Sequence, residues 1–385
     1  MPTTLHTSRS LMPLAIATLL SLSGLASAQP VAPASSGTPA ADSAPIADLD
    51  PAMPKEITNA AFYTPASERN AALAYYKSFS MMSREARSQL SGVDWDAVGD
   101  NVDGAKMPAS FKDAAALLND SYLNQVMLAS RMKVCRWESE YEEGIEMLLP
   151  YLGEMRATAR TMRVAARQAM VEGRPSVAVD RLIAMHAIAR HAANDPILIC
   201  SLVGIAVGNL TNIETRSIAA SGQLTASARD RLVAHLEALL DEPDPMNSRA
   251  SIKGERDIML GWVERTFVKE GGPAEFAAMM AEMEQEGAQS IRILAIKALS
   301  LEDFKDAIDR NGQFYDDMLA AWDAPDAQER MGKLETAVTG GEYGPVAAFL
   351  APSLTKARAS VTGYHDNIRE TIDALRSAKV RDDAK

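Results

Sequence analysis

Apolar residues recur at three- and four-residue steps along most of this chain, and runs of alternating β-branched residues are absent. That period marks one face of a helix rather than one face of a strand. The clearest stretch opens at Pro150, a residue suited to a first helical turn. Leu152, Met155, Ala159, Met162, Ala166 and Ala169 then carry the stripe to about residue 172. Gly173-Arg174-Pro175 predicts a turn, because glycine ends one helix and proline opens the next. Ala178, Leu182, Met185 and Ala189 line the return helix, and Asn194-Asp195-Pro196 stops it and starts a third. That third helix, about 196–221, is the most apolar. Cys200, Gly204, Gly208 and Asn212 lie four apart on it, a strip of small or polar side chains that predicts close approach by another helix. Its apolar run ends near Leu210 and charges follow, so the expected place is a core rather than a bilayer.

The pattern is helical from about residue 64, where Thr64 precedes Pro65 and Glu68 follows. Residues 91–108, rich in Gly and Asp, read as a loop. Ser110 opens a helix expected to run through Leu117, Leu118 and Tyr122 on one face. Residues 226–241 are amphipathic, with Leu232, Val233, Leu236, Leu239 and Leu240 together. Glu242-Pro243-Asp244-Pro245 then breaks the pattern, since two prolines cannot continue a helix. Helices are predicted near 248–269, 273–285, 287–299 and 302–322. A last one, near 353–379, shares a stripe of Leu354, Ala357, Val361, Tyr364, Ile368, Ile372 and Leu375. The expected fold is all-α: helical hairpins packed into an irregular bundle or short solenoid, without the ~34-residue period of tetratricopeptide arrays.

The first residues change the picture of where the chain works. Arg9, an apolar run over 11–22 and then Ala26-Ser27-Ala28 have the order of a cleavable secretory signal, with cleavage between Ala28 and Gln29. The run is short for the ~20 residues a bilayer needs, and no stop-transfer segment follows. Pro30, Pro33, Pro39, Pro45, Pro51 and Pro54 then recur among Ala and Ser, the composition of a disordered tether. The expected division is 1–28 signal peptide, 29–60 linker, 61–242 helical domain with the central hairpin, and 246–385 a C-terminal helical region packed on it or continuous with it.

The chain carries 39 Lys and Arg against 51 Asp and Glu, net −12. Loss of Arg9 with the leader leaves 38 against 51, net −13. This balance argues against nucleic acid and anionic membrane surfaces as partners. Two cysteines remain, Cys135 and Cys200. In an oxidising compartment they are expected to form a disulfide, which would contribute roughly 4 kcal/mol in the chain-entropy account. Two buried free thiols are the alternative.

Candidate chemistry is sparse, and no cofactor or metal is expected. His186, His191, His235 and His365 include no pair four apart and no His-Glu-x-x-His, which favours structural roles. Asp94-Trp95-Asp96 with Gly99 and Asp100 opens like a calcium loop. However, Val98 occupies a ligand position and Ala105 stands where the bidentate glutamate belongs. Asp309-Arg310-Asn311-Gly312 is a weaker match. The acids Glu138, Glu140, Glu142, Glu143 and Glu146 suggest a solvated helix start more than paired catalytic carboxylates. Met279, Met280 and Met283 could ligate Cu(I), yet Phe276 and the alanines beside them favour a deformable core patch. No Gly-x-Ser-x-Gly, phosphate-binding loop or dinucleotide fingerprint is present.

Over about 135–207 one group of residues has a further meaning. Cys135-Arg136-Trp137, Gly144, Leu149-Pro150, Leu152, Arg156, Ala159-Arg160 and Ala166-Arg167 begin it. Gly173, Ala178, Arg190-His191, Asp195-Pro196, Leu198 and Leu202-Val203 complete it. With these the chain resembles an uncharacterised family of secreted helical proteins of planctomycete-type bacteria. The resemblance covers about a fifth of the chain. It implies a bacterial, exported, helical protein and carries over no catalytic residue. The expected function is an exported, periplasmic or extracellular, non-enzymatic binding or scaffold module, with an envelope protein or ligand as partner. Two alternatives differ in what they need. An envelope enzyme, perhaps hydrolytic, needs a carboxylate pair facing across a deep pocket, or an acid beside His186 or His191. A small-ligand or lipid carrier needs a large apolar cavity.

Overall fold

The computed structural model describes residues 69–283, 291–351 and 353–381. The signal peptide, the Ala28–Gln29 junction, the 29–60 linker and the Thr64-Pro65 cap lie outside the described residues. Within them the protein is all-α, with helices packed on one another and no strand.

Short helices come first: α1 (Ala71–Phe79), α2 (Arg84–Ser91), α3 (Trp95–Val98), α4 (Ala109–Ala116) and α5 (Asp120–Ser130). Most start on a side chain that accepts a backbone N–H, satisfying a donor the first turn leaves free. Asn70 takes that of Ala72, Ser83 that of Ala86 and Asp94 that of Ala97. The helix expected from Ser110 through Tyr122 is two helices. Asn119 accepts from the N–H of Tyr122 at 3.1 Å and starts α5 afresh. The 91–108 segment is also more ordered than a bare loop, holding α3 and a 3₁₀ turn at Gly104–Lys106.

The long hairpin follows as α6 (Pro150–Val171) and α7 (Pro175–Ala192), feeding α8 (Leu198–Ala220). Gly173, at φ +70°, makes the turn. Helix α8 is long and apolar enough to pass for a membrane span, but 67% of the qualifying window is buried inside the fold. Its small-residue strip does what its spacing predicts. A Cβ at Gly204 would stand 2.7 Å from the Ala189 carbonyl oxygen and 2.7 Å from the Ala193 methyl. A Cβ at Gly208 would stand 2.5 Å from the Tyr364 ring. Helix α7 and the last helix of the chain therefore approach within backbone reach.

The remainder is α9 (Ala226–Leu240), α10 (Ser248–Val263), a π-helical stretch (Glu264–Gly271), α11 (Gly272–Met283), α12 (Ile291–Lys297) and α13 (Leu301–Trp322). Then come α14 (Ala327–Thr339), α15 (Gly344–Leu350) and α16 (Leu354–Ser377). Helices α14 and α15 were not expected. The Pro243–Pro245 break is a corner in which Asp244 accepts from the N–H groups of Ser248 and Arg249, both at 2.8 Å, and so caps α10.

Three apolar clusters fill the interior. The largest joins α1–α9 and takes in Tyr364, Ile368, Ile372 and Leu375 of α16. A second gathers Phe314, Tyr315, Met318 and Trp322 of α13 with Met331, Val338, Leu354 and Ala357. A third holds Trp262, Phe267, Phe276, Met280 and Phe304. Helix α16 thus belongs to two clusters, and α13 likewise serves the second and third.

Candidate functional site

Four of the residues that carry the 135–207 resemblance, Cys135, Trp137, His191 and Asp195, meet in one buried knot. After α5 the chain runs extended through Cys135 and Trp137, and α7 ends above it at His191. Asp195, 3% exposed, sits in the corner between α7 and α8. Its carboxylate accepts from the hydroxyls of Tyr151 at 2.7 Å, Tyr141 at 3.1 Å and Ser139. Trp137 lies flat on Tyr151, with centroids 4.1 Å apart and planes 4° from parallel, and donates its Nε1–H to the His191 carbonyl. Asn194 donates to the Cys135 carbonyl.

The bridge expected between Cys135 and Cys200 is absent from this structure: both are free, buried thiols. The sulfurs have separate partners. Cys200 lies 3.3 Å from the Tyr151 hydroxyl, with the Trp137 ring stacked behind that tyrosine. Cys135 instead faces the backbone at Ala72. Trp137 therefore packs on Tyr151 instead of covering a disulfide. Burial pushes the Cys200 thiol up to about 12, with Asp195 and Glu255 adding to it against the Tyr151 hydrogen bond. Cys135 is driven higher, again first by burial. Thiols held protonated in this way are not nucleophiles.

The histidines are also committed inside. His191 places Nε2 3.1 Å from the Met132 carbonyl and Nδ1 3.0 Å from the Tyr75 hydroxyl. The carbonyl only accepts, so Nε2 carries the proton and Nδ1 accepts from the tyrosine. His186 donates to Asn212 Oδ1 at 3.1 Å and accepts from His235 Nε2 at 3.2 Å. Burial lowers His186 to about 3, and His191 and His235 to about 4, so all three are neutral at pH 7.

A second buried knot lies beneath the 91–108 segment. Arg167, fully buried on α6, donates Nε to Glu214 at 2.7 Å, Nη2 to Ser217 at 2.6 Å, and Nη1 to the carbonyls of Gly99 and Asn101. Arg163 takes the other Glu214 oxygen at 2.8 Å and lies over the Trp95 ring. No three His, Cys, Asp or Glu side chains come together as a metal set among the described residues.

The other candidates also find places. Glu138, Glu140, Glu142, Glu143 and Glu146 are exposed, as a solvated run should be, but they lie before α6 in a loop and a 3₁₀ turn, Tyr141–Glu146, not at a helix start. Gly144 within that turn has φ +55°, and a Cβ there would stand 2.2 Å from the Trp262 ring. Met280 is buried against Phe276 and Ile293, with Met279 partly buried at the edge. The Met283 side chain lies outside the described residues. Asn311 and Gly312 are buried within α13.

The surface openings among the described residues include two clefts of ≈ 440 Å³ each. One lies along α6–α7, among Asp100, Asp103, Gly173, Pro175, Gln223 and Arg381. The other lies where the Pro243–Asp244 corner, the end of α13 and the first half of α16 meet. Pro243, Trp322 and Val361 form an apolar wall, and Arg249, Arg358 and Arg369 rim it. Neither Asp195 nor Glu255 lines either cleft. No protein-family profile, curated protein or solved structure matches this chain.

Proposed function

We propose that this protein is an exported, periplasmic or extracellular, helical binding or scaffold module of the bacterial envelope; the 135–207 resemblance supports the exported, helical, bacterial part of that reading. The observation that carries the reading is the separation of chemistry from access. Both thiols, His186, His191, His235 and Asp195 are closed inside, each engaged by buried neighbours. The openings described above are clefts rimmed by charged groups, several of them in surface ion pairs. An enzyme needs a reactive group within reach of bound substrate. Here burial holds both thiols protonated, and Asp195 accepts three hydroxyls, a use that suits a structural anchor. A lipid carrier would need a large enclosed apolar chamber, whereas these clefts are open and charged. The leader implies that the mature chain begins at Gln29 outside the cytoplasm.

Cross-linking in intact cells followed by mass spectrometry tests the reading. The expected result is a mature chain starting at Gln29, in the envelope or medium, linked reproducibly to one partner or ligand. A cytoplasmic product retaining residues 1–28 would overturn export. Hydrolytic turnover abolished by Asp195→Asn in a folded variant would overturn the non-enzymatic reading.

A further inference from the structure

The charges around the cleft beside α16 balance in number, with Arg249, Arg358 and Arg369 against Asp244, Asp323 and Asp366, but not in pairing. Asp244 lines it, but its two oxygens are occupied by the N–H groups of Ser248 and Arg249. Asp323 is paired with Arg249 at 2.8 Å, and Arg369 with Asp366 at 2.7 Å. These two pairs are exposed and so hold their partners weakly. Arg358 has no carboxylate partner among the described residues. Its Nη1 rests on the Thr362 hydroxyl at 3.0 Å, its guanidinium lies 5.4 Å from the Trp322 ring centre, and its Nε is buried without an acceptor. His365, half-buried in the same cleft, is held below its ordinary value, first by burial and then by Arg369 and Arg358. The cleft thus offers one guanidinium, that of Arg358, which no carboxylate pairs among the described residues.

We propose that this cleft binds a small organic acid, seated through a carboxylate or phosphate ester on Arg358 with its body against the Pro243–Trp322–Val361 wall. The proposal rests on the binding-module reading and names the ligand chemistry. A guanidinium presents its N–H groups in a planar fork that matches either oxyanion. Arg249 and Arg369 can turn from their surface carboxylates onto a second ligand oxygen at little cost, because exposed pairs contribute so little. The ≈ 440 Å³ of space suits a ligand of monosaccharide size.

Calorimetric titration of the full mature chain with glucuronate, glucose 6-phosphate and neutral glucose tests it. Saturable binding of at least one acid is expected, weakening with added NaCl, and none of glucose. If one acid binds and the other does not, that identifies the headgroup and supports the site. Arg358→Gln should weaken binding at least about tenfold, the scale of a lost charge-assisted bond, with the melting temperature unchanged. Thr362→Glu, at an exposed position, places a competing carboxylate beside Arg358 and should abolish binding without touching the core. Arg231→Gln, in a remote pair with Asp180, should leave it unchanged. The proposal is overturned if neither acid saturates, if glucose binds as well as the acids, or if both cleft variants bind like the parent. Such a failure leaves the cellular cross-linking result, which tests the broader reading, standing separately.

Discussion

Arg167 shows what a single side chain does in this fold. It is long, charged and fully buried, yet four of its five N–H groups have acceptors in the fold. It ties the 91–108 segment to α6 and α8 at once. Arg167→Leu would leave Glu214 with only Arg163, the Gly99 carbonyl with only Ser217, and the Asn101 carbonyl without its donor. A loss of about 3–5 kcal/mol in urea denaturation is expected, the cost of breaking a buried pair from one side. Unchanged stability would show that the loop is held by other contacts. Gly204 makes the opposite case, because its contribution is the lack of a side chain. Gly204→Leu should leave no folded protein, since the Cβ alone meets a backbone oxygen at 2.7 Å; a melting temperature like the parent's would contradict the placement of α8. Gly204 was readable from the four-residue strip. Arg167 was not, since the sequence showed an arginine on a helix but not the partners that folding brings to it.

At the scale of elements, the buried histidines make the α7–α8–α9 packing sensitive to acid. Folded-state values of about 3 for His186 and about 4 for His191 and His235 lie below the ordinary value. The unfolded chain therefore binds more protons than the folded one between those values and about pH 6.5. Stability from this source is complete above about pH 6.5 and falls as pH drops towards 4, by up to about 1.4 kcal/mol per pH unit per histidine. Melting curves should shift down over that interval, and His235→Gln should flatten the shift; a melting temperature constant from pH 7 to 4.5 would refute the tautomers assigned here. Elements also differed in how plainly the sequence announced them. Helices α6, α7 and α8 were legible because Pro150, the Gly173–Pro175 turn and long apolar stripes all agree. Helix α14 buries only Ala327, Met331 and Val338, and α15 only Val346 and Ala347, too few positions to show a period. The break between α4 and α5 was marked by Asn119, a good cap, but the apolar residues on both sides concealed it.

For the molecule as a whole, α16 matters most. Its first turn packs into the cluster around Trp322, and its second half closes the large cluster over Gly208 of α8. The Pro243–Pro245 break was the natural place to divide the chain, yet residues from both sides of it share a core. One cooperative unfolding transition is expected, with fluorescence of Trp137 and Trp322 changing together in single-tryptophan variants; two separated midpoints would show independent halves. A chain ending before Leu354 should not fold, because it exposes the α8 face that Tyr364 covers. The cleft beside α16 was illegible in sequence for the same reason. Its walls come from a corner, a helix end and a helix middle more than a hundred residues apart, and nothing local links them. The Asp195 knot was nearer to view, since its residues stand in the segment that carries the family resemblance. What could not be read was that its two thiols stay free, each with a partner of its own.

The central claim is that accessible recognition lies in the cleft while the Asp195 knot holds the fold. A side-by-side titration of Arg358→Gln and Asp195→Asn with glucuronate and glucose 6-phosphate, alongside melting curves, tests it most directly. The account predicts that Arg358→Gln keeps the parent's melting temperature and loses binding. It predicts that Asp195→Asn melts lower but binds with the parent's affinity in whatever fraction stays folded. A folded Asp195→Asn protein that no longer binds, beside an Arg358→Gln protein that does, would contradict it.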